Sequence, residues 1–167
     1  MARQLALATA IFMLVLLTDT SCTPPAAKPK ATTADHGHSH ESGKKMLADV
    51  GKYHAALTAH LSSKDGNELD IFFETTSQAK PVALPLPSFK AEVQLGEELK
   101  EITFEPAPAD ERPKDEKPGT CSHFVAKAPW MKPTDNLYVV VKIPIDGKEE
   151  TIRWKDFNPK KYAHHED

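Results

Sequence analysis

From Lys52 onward the apolar and polar positions of the chain alternate with a period of two. Tyr53, Ala55, Leu57, Ala59 and Leu61 are interleaved with His54, Ala56, Thr58 and His60. Leu69, Ile71 and Phe73 alternate with Asp70, Phe72 and Glu74, and Phe89, Ala91, Val93 and Leu95 with Lys90, Glu92 and Gln94. Further runs lie at Leu99–Glu105, Thr120–Lys127, Asn136–Ile145 and Glu149–Lys155. Successive side chains of a strand point to opposite faces, so each run predicts a half-buried strand. Asp65-Gly66 and Asp146-Gly147 fall between such runs, and Asp-Gly is a strong hairpin signal.

About seven strands and no sustained helical period predict an all-β domain over residues 51–158. Seven short alternating strands fit an immunoglobulin-like two-sheet sandwich, with a small barrel as the alternative. Pro81, Pro85 and Pro87 cannot sit in a central ladder, so their segment is read as an edge or a connection between sheets. Residues 106–119 (PAPADERPKDEKPG) carry four prolines and read as a long exposed loop. Trp130 and Met131 lie in another irregular connection, with Trp130 expected to pack across one end of the domain.

The N-terminus reads differently. After a single charge at Arg3, Leu5–Leu17 (LALATAIFMLVLL) is an apolar run of 13 residues. A membrane-spanning helix needs about 20 residues, whereas a secretory h-region needs roughly 7–15. Residues 1–21 are therefore expected to be a signal peptide and the chain to be exported. The small residue Ser21 before Cys22 resembles a bacterial lipoprotein signal, in which the cysteine becomes the lipidated N-terminus. Such signals usually carry Leu three residues before the cysteine, and Asp19 stands there. Ordinary cleavage near Ser21, leaving Cys22 as a plain thiol, is the alternative. Residues 22–50 read as a flexible tether with a brief helical turn near Lys44–Val50, and residues 159–167 as a flexible tail.

Charge and cysteine content narrow the function classes. With 21 Lys+Arg against 24 Asp+Glu the net charge is −3, and there is no basic excess to neutralise a nucleic acid. Two cysteines make neither a disulfide framework nor a four-cysteine zinc site. The histidines change the picture. Five of the eight lie in two acidic-flanked segments, Asp35-His36-Gly37-His38-Ser39-His40-Glu41 and His164-His165-Glu166-Asp167. Neutral imidazole is the commonest metal ligand and suits Zn, Cu and Ni. His36, His38 and His40, assisted by Asp35 and Glu41, are the expected ligands of a weakly held divalent ion. His164 and His165 form a second or cooperating site.

Within the folded part, Cys121 and His123 share one strand face at two-residue spacing, and with Met131 they could reach a soft ion such as Cu(I). His54 and His60 share a parity that faces solvent and lie about 20 Å apart along the strand, too far for one ion. There is no nucleophile elbow, phosphate loop or HExxH motif, so catalytic and cofactor-binding residues are not expected and the chain is read as a non-enzyme.

Together, the lead-in HGHSHE, the strand beginning Gly51-Lys52-Tyr53-His54-Ala55, Pro81-Val82, the Asp146-Gly147-Lys148 hairpin and the His-containing tail resemble small uncharacterised bacterial lipoproteins of planctomycete-like bacteria. These are similar in turn to the His-rich N-terminal region of heavy-metal efflux adaptor proteins. The resemblance covers residues 35–167. It implies a β-domain facing the periplasm or cell exterior, held to the membrane by a lipid anchor and associated with transition metals, acting as a buffer, scavenger or efflux accessory. A metal-efflux or other envelope protein is the implied partner. The competing expectation is a structural or protein-interaction module whose histidines are incidental.

Overall fold

In the computed structural model, residues 44–166 are described, the last two by backbone alone. The apolar leader, Cys22 and the cluster from Asp35 to Glu41 lie outside the described residues. Among the described residues nine strands follow one another: β1 (Met46–Val50), β2 (Tyr53–Leu61), β3 (Glu68–Thr75), β4 (Phe89–Leu95), β5 (Glu98–Pro106), β6 (His123–Lys127), β7 (Leu137–Ile145), β8 (Lys148–Phe157) and β9 (Ala163–Glu166). A single 3-10 turn, Ala109–Glu111, interrupts the loop before β6.

The chain is all-β, as the alternation predicts. Its strands, however, follow one path rather than dividing into the two sheets of an immunoglobulin-like sandwich. The order is β1-β2-β3-β6-β5-β4-β7-β8, every neighbour antiparallel, and the sheet curls into a nearly closed barrel. Two edges meet where β1 comes beside β8, and there the buried Trp154 Nε1 donates to the carbonyl of Met46 at 3.0 Å. Among the described residues no backbone ladder joins β1 to β8, so the two edge strands shield each other by side-chain contact.

One core fills the interior. Leu57, Ala59, Leu69, Ile71, Phe73 and Phe124 enter it from β2, β3 and β6, and Val93, Phe104, Val139, Ile143, Ile152 and Trp154 from β4, β5, β7 and β8. These are the positions that the period of two assigns inward. The Asp146-Gly147 turn behaves as its sequence predicts. Both residues adopt positive φ (49° and 79°), as the twist of a two-residue hairpin requires, and they join β7 to β8. The Pro81–Pro87 segment crosses from β3 to β4, forms isolated bridges, Glu74 with Pro81 and Leu84 with Cys121, and places Leu84 and Leu86 in the core.

Two strands lie where tether and tail were expected. Met46–Val50 is not a helical turn but pairs with β2 through a tight Gly51-Lys52 turn, with Gly51 at φ +58°. Residues 163–166 are not a loose tail. They form β9, parallel to the end of β2 that β1 leaves uncovered. The loop of residues 106–119 is largely exposed, as its composition predicts, and is tied to the barrel at a few points. Ala107 N–H donates to the carbonyl of His123 at 2.9 Å, and Glu116 accepts from the backbone N–H of Ser122 at 2.9 Å and from its hydroxyl.

Candidate functional site

The outward face of β2, β3 and β6 should be the wet one, because Leu57, Leu69, Ile71 and Phe124 turn to the core. Near the middle of this face it is not wet. Thr58 is fully buried, and Asp70 and His123 are 3% and 6% exposed. The register places them together, with Thr58 opposite Asp70 across β2–β3 and Phe72 opposite His123 across β3–β6. Their covering is non-local. The 106–119 loop lies against β6, and β9 comes up along β2.

Asp70 is the centre of the group. Its Oδ1 is 2.8 Å from His123 Nε2, and the other His123 nitrogen lies 3.4 Å from the carbonyl of Glu111. Phe72 stacks on the His123 ring at 4.1 Å between centroids, 16° from parallel, fixing its plane. A carboxylate withdrawn from water is costly unless hydrogen bonds compensate it, and His123 supplies one at Oδ1.

The second carboxylate oxygen is different. Asp70 Oδ2 is buried and has no hydrogen bond among the described residues. It faces His164 Nδ1 at 3.9 Å. That nitrogen also shares a hydrogen bond with Thr58 Oγ1 at 3.0 Å. The His60 ring meets the His164 ring edge-on at 5.7 Å. His164 reaches this position through an irregularity in β9. Ala163 pairs with Ala59, but His165 pairs with the very next residue, His60, so His164 is an extra residue inserted between two paired positions. Such bulges redirect a side chain out of the regular alternation.

Of the residues expected to bind metal, Cys22, Asp35, His36, His38, His40 and Glu41 lie outside the described residues. His164 is brought to Asp70, and His165 lies in register with His60. Cys121, His123 and Met131 are not gathered around a common point. Cys121 and Met131 belong to the core, and the Cys121 thiol donates to the carbonyl of His123 at 2.8 Å, whereas the His123 ring turns outward to Asp70. Their spacing suggested a shared face, but Cys121 precedes β6 and the regular alternation does not extend to it. His54 pairs with Asp49 at 3.0 Å, away from this group. Among the described residues no three His, Cys, Asp or Glu side chains already surround a metal position.

Sequence reasoning did not single out Asp70 or Thr58. One signal was present. Phe72 shares the parity of Asp70, and a large aromatic beside an acid on a nominally wet face indicates that the face is covered. Comparison with protein-family models, curated proteins and solved structures finds no match for this chain.

Proposed function

We propose that this protein is a lipid-anchored lipoprotein of the cell envelope that binds a divalent transition metal, such as Zn, Cu or Ni, and serves as a buffer, scavenger or efflux accessory. Its role is binding rather than catalysis. One observation carries this reading: His164, from one of the two acidic-flanked histidine segments, lies 3.9 Å from a buried carboxylate oxygen that has no hydrogen bond among the described residues. The other segment, with three imidazoles in five residues, supplies ligands on a chain that can wrap an ion. Protonated imidazole cannot ligate, so binding weakens as the histidines protonate below about pH 6.

Calorimetric titration of Zn, Cu and Ni into the protein, with and without residues 35–41, tests the reading. The full chain binds more tightly than a short histidine peptide used as control, and deletion weakens binding. Binding no tighter than the peptide overturns the proposal and favours the structural or interaction module.

A further inference from the structure

The geometry points to a second, folded metal site, and we propose that Asp70, His164 and His60 form it on the outer face of β2, β3 and β9, with Zn(II) or an ion of similar preference as its ligand. The inference rests on the metal-binding reading above and adds to it a ligand, Asp70, from inside the domain.

The argument starts from the carboxylate. Asp70 Oδ1 is committed to His123, which fixes the plane of the group. Oδ2 is left buried, with no hydrogen bond among the described residues, and is directed at an imidazole nitrogen. A buried acceptor without a donor costs free energy, and a cation removes that cost. Two ligands each about 2.1 Å from a tetrahedral zinc ion lie about 3.4 Å apart. The observed separation of Asp70 Oδ2 and His164 Nδ1 is 3.9 Å, so a closure of about half an ångström admits the ion.

The third ligand follows from the rings. Two imidazoles on one tetrahedral ion have centroids about 5 Å apart. His60 and His164 stand at 5.7 Å. His60 is half-buried and its ring already meets that of His164, which makes it the third ligand of the proposed site. The ion takes the place of the Thr58 hydrogen bond at His164 Nδ1. Two imidazoles and a carboxylate leave a fourth position for water, a donor set that zinc accepts. The hydrogen bond from His123 to the ligating carboxylate is the outer support that such ligands ordinarily have. The site closes on the ion rather than waiting fully formed, since no three ligating groups converge beforehand among the described residues.

The test uses the full chain carrying His36→Ala, His38→Ala and His40→Ala, so that only the folded site is read. Zn(II) is titrated against a chromophoric competitor, and ring-nitrogen NMR reports which imidazoles shift. This background retains one zinc equivalent. On zinc addition to this background the His164 Nδ1 resonance moves to the metal-bound range, and adding Asp70→Asn or His164→Gln weakens the affinity by about tenfold or more. His164 is partly exposed, so H164Q decides the matter if D70N fails to fold by circular dichroism. Unchanged affinity in H164Q, or an unshifted His164 ring, overturns the inference. Loss of all zinc binding in the background also overturns it but leaves the metal-binding reading intact if the unsubstituted chain still binds. Absence of binding in the unsubstituted chain defeats both.

Discussion

Asp70 shows how a single residue is held in place by groups that the local sequence does not name. Its alternation in β3 assigns it to water, yet its side chain is 4% exposed, and the His123 side chain beside it is 8% exposed. Removing one partner of a buried hydrogen bond leaves the other unsatisfied, at a cost of about 1–3 kcal/mol. Asp70→Ala is therefore expected to lower the urea midpoint by that equivalent, with the slope of the transition unchanged. Asp70→Asn, which still offers an acceptor to His123, loses less. A loss below about 1 kcal/mol for Asp70→Ala, within the range of an ordinary surface contact, would show that the pair does not hold this face. Near the opposite end of the polarity scale, Leu99 is the one large apolar side chain exposed among the described residues, and a single exposed leucine has no special meaning.

At the scale of elements, the strands whose pairing is local were legible. β2, β3, β4, β5, β7 and β8 each carry their own alternation, and the tight turns at Gly96 and at Asp146-Gly147 bring the positive φ values their residues favour. β1 and β9 were not legible. Met46–Val50 is short, and its turn, Gly51-Lys52, lacks the Asn-Gly or Asp-Gly signature. Ala163–Glu166 is four residues, three of them polar, and becomes a strand only because the end of β2 offers an unpaired edge. The site was missed for the same reason, since β9 and the 106–119 loop are what bury it. A chain truncated after Tyr162 keeps Ala59 N–H bonded to the carbonyl of Tyr162 at 3.0 Å and retains the Tyr162 ring stacked on Phe157. The barrel of the truncated chain is expected to stay folded, while amide exchange along residues 60–61 accelerates and His123 becomes more open to solvent. Unaltered exchange there would mean that β9 covers nothing.

For the whole molecule, closure of the barrel depends on a side chain at the seam between β1 and β8. Trp154 both fills the core and donates across that seam. Trp154→Phe removes a hydrogen bond of about 1 kcal/mol and part of a buried ring, for a total of about 2–3 kcal/mol. The loss should concentrate at β1, measured as faster exchange of its amides relative to those of β7. Uniform acceleration over both strands would instead assign Trp154 to general core packing. The seam has a further consequence, for the order in which the molecule assembles. Thr58 and His164 are separated by 106 residues, and Met46 and Trp154 by 108, against 53 for Asp70 and His123. Contacts between such distant partners gain nothing until the intervening chain is already collapsed, because loop closure must be met first. The hairpins are expected to form early, and both the seam and the strand bearing His164 to close late. The histidine–aspartate group is thus among the last parts of the protein to mature, so a chain still emerging from synthesis presents it only once most of the domain is in place.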